Sequence, residues 1–127
     1  VFQPHQHNRT KTLFDGFVTE LARVDVLIGV EIYDVAGREG AADQDVSTQD
    51  LIEAIRILPD SEFEGAANSR MGRAARGRPE KILYAAGPKE ALELTRETVK
   101  EDDVVIIMGA GDIWEIGKEL INGVLKN

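Results

Sequence analysis

Residues 24–32 read VDVLIGVEI. The run is almost wholly apolar or β-branched and shows no polar alternation. An unbroken stretch of this kind fits a strand buried on both faces, as in a parallel sheet covered by helices. On its N-terminal side, Leu13, Phe14, Phe17, Val18 and Leu21 recur at helical spacing and predict a helix over about residues 12–23, capped by Thr10 or Thr12. Before that helix, Val1–Gln3 reads as the end of a strand halted by Pro4. On the other side lies a polar, Gly- and Asp-rich loop at 34–46, followed by Ser47, which caps a helix carrying Leu51, Ile52, Ile55 and Leu58 on one side. Pro59 ends it.

The same unit recurs downstream. Lys81–Ala85 is a strand, and Pro88 opens a helix running to about Lys100. Asp103–Met108 (DVVIIM) reads as a last buried strand. Gly109-Ala110-Gly111 then turns into a helix from Asp112 to about Leu125, with Ile113, Ile116, Leu120, Ile121 and Val124 inward. Four strands alternating with four helices predict an α/β fold, a Rossmann-like three-layer domain with a mostly parallel sheet flanked by helices on both faces. The 127 residues make one domain. Residues 60–79 break the pattern with Arg70, Arg73, Arg76 and Arg78 among small residues. They read as an insertion or mobile loop, either a solvated connection or an anion-binding flap.

Composition narrows the function. A net charge of −8 argues against a general nucleic-acid binder, which needs a basic face. The absence of cysteine excludes disulfides, thiolate metal sites and cysteine nucleophiles, and fits a cytoplasmic protein. The longest apolar runs, such as Val104–Met108, are too short to span a bilayer, and no signal peptide is visible. The chain starts at Val1 without an initiator methionine, which points to a longer parent.

Two stretches suggest chemistry. Gly109–Trp114 lies between a strand and a helix, the setting of a phosphate-cradling turn. However, Trp114 stands where a dinucleotide fingerprint needs its third glycine, and Asp112 would repel phosphate. No GxxxxGK[ST] occurs, so the chain has no P-loop. The other stretch is FQPHQHNRT, residues 2–10, which holds both histidines, His5 and His7, and Arg9. If the strand end stays extended, positions 5, 7 and 9 share one face. Arg9 would repel a cation and spacing marks no third ligand, so a metal site is not expected. Arg9 offers a planar fork for a carboxylate. His5 falls where a strand's carboxyl end opens into a loop, the edge at which open α/β sheets bind ligands.

FQPHQHNRT resembles the FQPH-x-x-x-R-T motif of the bacterial UDP-N-acetylmuramate–L-alanine ligases. In the same order, LFDGFVTELARVDVLIGVEIYDVAG, STQDLIEAIR and DVVIIMGAGDI resemble that family's helix, strand and D-x-Y-x-x-G-like stretch, its next helix, and its last strand with the GAG-[DN]-I turn. The family has three domains: one for the UDP-sugar, a central P-loop ATPase and a C-terminal α/β domain. The resemblance is to the last of these, without its opening D-x-x-x-H-H-P-like motif, so a first strand and helix are expected to be missing. It implies an ATP-dependent ligase in peptidoglycan synthesis whose partners are L-alanine and UDP-N-acetylmuramate, with no nucleic acid and no membrane. ATP and Mg2+ would be held mainly by the other domains, leaving the fragment inactive alone. It also implies that His5 orients the substrate or a neighbouring group in catalysis. Arg9 would hold the alanine carboxylate, and Gln6, His7 and Tyr33 would line the substrate site. Gly109, Gly111 and Asp112 would lie near the nucleotide. Many members carry a second arginine where this chain has Gln6, which leaves open a related ligase for another amino acid or peptide. A stand-alone, non-catalytic α/β binding module is the alternative from another class.

Overall fold

A computed structural model describes residues 1–34, 45–59 and 78–124. It contains a four-stranded sheet in which every pairing is parallel. The strands are β1 (Phe2–Gln3), β2 (Val26–Val30), β3 (Lys81–Ala85) and β4 (Met108–Gly109). Their spatial order is β3-β2-β1-β4. The helices are α1 (His7–Thr12), α2 (Phe14–Leu21), α3 (Thr48–Ile57), α4 (Pro88–Thr98) and α5 (Glu115–Val124). This is the predicted Rossmann-like α/β fold.

The run at 24–32 explains the layering. Within β2, Leu27 joins Val18, Leu21, Leu51 and Ile55 of α2 and α3 in one core. Its neighbours Ile28 and Val30 point the other way, to Ala91, Ile113 and Ile116 on the side of α4 and α5. Successive strand residues face opposite sides, so a strand with helices on both sides must be apolar throughout. The regular strand is shorter than predicted: it runs from Val26 to Val30, so Val24 and Asp25 precede it and Glu31 and Ile32 follow it. Helix α3 forms where expected: Ser47 and Asp50 close a reciprocal capping box, with Asp50 N–H donating to Ser47 Oγ and Ser47 N–H to Asp50 Oδ2. Pro88 occupies the first turn of α4, which ends at Thr98 rather than near Lys100.

The structure departs from expectation in several places. The predicted helix over 12–23 is two helices, α1 and α2, meeting at Leu13. Neither Thr10 nor Thr12 caps it. Their hydroxyls instead donate back one turn, to Gln6 O and Asn8 O, as threonines inside a helix do. The stretch 103–108 is not a buried strand. It lies at the open edge of the sheet, pairs only at Met108 and Gly109, and leaves Val104 87% and Ile106 59% exposed. An apolar run marks strand propensity but does not tell a central strand from an edge. Leu13 and Ile121, predicted inward, are exposed, the first at the break between α1 and α2 and the second on the outer side of α5. The final helix also starts as a 3-10 turn over Gly111–Trp114 before α5. The readings of residues 60–77, of most of the 34–46 loop, and of the Val124 side chain and Leu125 lie outside the described residues. Among the described residues no helix is long and apolar enough to cross a membrane.

Candidate functional site

The chain steps from β1 to β2 to β3 in one direction and then returns to place β4 on the other side of β1. The direction of winding therefore reverses between β1 and β4. In open α/β sheets the crevice at the carboxyl ends of two such strands is where ligands bind. Here those ends are Pro4-His5-Gln6 and Gly109-Ala110-Gly111. They meet closely: a Cβ on Gly109 would stand 2.7 Å from Gln3 O.

The end of β2 joins the same edge through backbone bonds. Tyr33 N–H donates to Pro4 O at 2.8 Å, and Gln6 N–H donates to Tyr33 O at 3.0 Å. His5 and Tyr33 form one further parallel bridge, and their rings stack with centroids 6.0 Å apart and planes 27° apart. Gln6 takes φ +64° and ψ 136°, outside the regions comfortable for a side chain, and caps α1 without a side-chain bond. Its carbonyl accepts from both Thr10 N–H and the buried Thr10 hydroxyl, which hold it in place. Strained backbone that its surroundings over-determine is concentrated at functional sites.

The structure thus brings His5, Gln6, Tyr33, Gly109 and Gly111 to one edge. Asp112 follows directly, exposed at the start of the 3-10 turn. His7 and Arg9 depart from expectation. The chain does not stay extended past His5 but enters α1, where residues two apart point about 160° away from each other. His7 and Arg9 therefore lie on different sides of α1, and the three residues do not share a single face. Arg9 is exposed one helical turn from the edge. Among the described residues no group of three His, Asp or Glu side chains is placed to hold a metal.

Sequence reasoning missed a carboxylate. Glu31 Oε1 accepts from Ile32 N–H at 2.8 Å and Thr48 N–H at 3.2 Å, and Oε2 accepts from the Tyr84 hydroxyl at 2.9 Å. Partial burial pushes the Glu31 carboxyl up, but these bonds outweigh it and hold the group below its usual value. Burial and the neighbouring Glu31 charge raise the Tyr84 phenol, which keeps it a donor. The carbonyl of Glu31 accepts from Gln3 Nε2 at 3.0 Å. Gln3 Oε1 and Asp34 Oδ1, at the ends of β1 and β2, are buried acceptors without a hydrogen-bond partner among the described residues. The signal was present: Glu31 is the one acid in the second half of VDVLIGVEI.

Gly111 carries a testable consequence. Its φ is +65°, and a Cβ there would lie 2.5 Å from Tyr33 Cε2. Gly111→Ala is expected to lower stability by about 1–2 kcal/mol for the left-handed backbone alone, and to push the Tyr33 ring off His5. Thermal melts and the His5 imidazole proton shifts read the two effects. A variant with wild-type values for both would show that the approach is not as close as described.

No protein-family model matches the chain. Curated relatives do. It is 32% identical to the UDP-N-acetylmuramate–L-alanine ligase of Desulfosudis oleivorans over 123 residues, 97% of this chain and 22% of that enzyme. It is 37% identical to the enzyme of the same name from Dichelobacter nodosus over 118 residues, covering 93% and 20%. With that of Nitrosomonas eutropha it shares 35% identity over 126 residues, covering 99% and 22%. The chain thus spans roughly a fifth of the length of these relatives. By this similarity, together with its fold, the chain belongs to the UDP-N-acetylmuramate–L-alanine ligase family, matching one domain-sized part of those enzymes.

Proposed function

We propose that this domain receives the amino acid in an ATP-dependent ligase that joins L-alanine to UDP-N-acetylmuramate in the cytoplasm. The observation that carries this reading is the position of FQPHQHNRT. The motif leaves β1 at the carboxyl edge, beside the point where the winding reverses, with His5 against Tyr33. In the reaction, the lactyl carboxylate of the sugar takes the γ-phosphoryl group of ATP and ADP leaves. The amine of L-alanine then attacks the acyl carbon, the C–O bond to phosphate breaks, and the amine gives up a proton as the amide forms. Such chemistry depends on positioning and charge neutralisation.

Arg9 binds the alanine carboxylate with its fork, and His5, steadied by Tyr33, orients the substrate or a neighbouring group. Gln6 supplies a neutral donor. The chain's own residues do not fit a triphosphate: there is no GxxxxGK[ST], and the glycine turn runs into Asp112. ATP and Mg2+ are therefore assigned to other domains of the intact ligase, and the isolated domain is expected to be inactive.

Gln6 favours a second reading, a related ligase for another amino acid or peptide, because a neutral side chain stands where many members have arginine. Phosphate release by the intact ligase, measured with L-alanine, glycine, L-serine and larger amino acids, separates the two. L-alanine is expected to exceed glycine in kcat/KM by roughly 10-fold or more, the scale set by one methyl group in an apolar pocket. A different amino acid in the lead supports the second reading. Turnover with none would leave a binding module.

A further inference from the structure

We propose that Glu31 is a positioning residue for this site: its carboxylate fixes the bend at the end of β2 that aims Tyr33 at His5. The inference rests on the reading of that edge as the amino-acid site. Glu31 N–H donates to Ala85 O on the β3 side of the sheet, whereas Tyr33 N–H donates to Pro4 O on the β1 side. In a regular strand, N–H groups two residues apart point the same way. The chain therefore bends at Ile32, and the Ile32 N–H leaves the ladder. Glu31 Oε1 accepts it.

The other bonds of the carboxylate serve the same bend. Thr48 N–H ties it to the start of α3, and the Tyr84 hydroxyl ties it to β3. Helix α3 does not depend on Glu31 for its cap, because Ser47 and Asp50 already close a capping box. Packing alone would have favoured an apolar residue here, since a half-buried carboxylate is tolerated only when its lone pairs are satisfied. The residue that follows the bend is Tyr33, whose ring stacks on His5 and whose carbonyl holds Gln6 N–H. A loosened bend would therefore release both contacts at once.

The test uses Glu31→Ala, Glu31→Gln and Tyr84→Phe. A glutamine keeps one oxygen for the two backbone donors and can give its amide proton to the Tyr84 oxygen, so Glu31→Gln is the conservative rescue. In the 127-residue chain, Glu31→Ala is expected to move the His5 imidazole proton shifts while methyl signals of the α4–α5 face stay put. Glu31→Gln is expected to restore them. A general loss of stability would lower the melting temperature without that selectivity. In the intact ligase, Glu31→Ala is expected to raise the KM for L-alanine by roughly 10- to 100-fold, the scale on which small misplacements act, with the KM for ATP unchanged and Glu31→Gln near wild type. If Glu31→Ala does not fold, Tyr84→Phe takes its place, with shifts and KM moving in the same direction by less. Unmoved His5 shifts and alanine KM in the folded variant overturn the proposal. Arg9→Ala separates it from the reading it rests on. If Arg9→Ala raises the alanine KM and Glu31→Ala does not, the positioning role alone fails; if neither does, the amino-acid site falls and this role with it.

Discussion

Arg9→Ala in the intact ligase is expected to lower kcat/KM for L-alanine by roughly 30- to 4,000-fold. That corresponds to about 2–5 kcal/mol, the cost of truncating one partner of a desolvated charged pair. The alanine carboxylate is the only anionic group on that substrate, and a guanidinium meets a carboxylate with two parallel N–H donors. Arg9→Lys keeps the charge and loses the fork, so its activity should fall between alanine and wild type. Arg9 is exposed on α1. Its replacement should therefore leave the stability of the domain within about 0.5 kcal/mol of wild type, and the loss should appear in catalysis alone. An unchanged dependence on L-alanine would remove Arg9 from the pocket.

Ile55→Ala is expected to destabilise the domain by about 2–5 kcal/mol, lowering the melting temperature on the order of 10–20 °C. Ile55 is fully buried between α3 and the sheet, in the cluster formed with Val18, Leu21, Leu27 and Leu51. Truncation loses the transfer energy of three carbons and leaves a cavity that a close-packed layer fills only in part. Two residues later, Ile57 is 73% exposed. The same substitution there should stay within about 0.5 kcal/mol. Paired melts of the two variants test the layer assignment, and equal midpoints would contradict it.

Much of the fold was legible along the chain because its causes are local. The start of α3 needs only Ser47 and Asp50, three residues apart, and β3 occupies 81–85 as read. Pro88 announces α4 by the same logic. The failures share one origin. Residues 104–108 have the composition of a core strand, yet where they sit in the sheet depends on where the chain returns after α4. The point where α1 begins depends on Gln6, whose N–H is held by the carbonyl of Tyr33, 27 positions away. The site divides along the same line. His5, Tyr33 and the glycine turn could each be placed at a strand's carboxyl end from periodicity. The supposed common face of His5, His7 and Arg9 failed because it assumed an extended chain where α1 forms.

By itself the sequence determined the alternation of strands and helices, the two-sided burial of β2, and the motif that relates the chain to its ligase relatives. Apolar spacing and side-chain caps act over a few residues, and they were enough for that. Only the tertiary structure decided which strand became the edge, where the winding reverses, and that Glu31, Thr48 and Tyr84 gather at the end of β2. Those outcomes follow from hydrogen bonds and packing between segments far apart in the chain, whose partners no local pattern records.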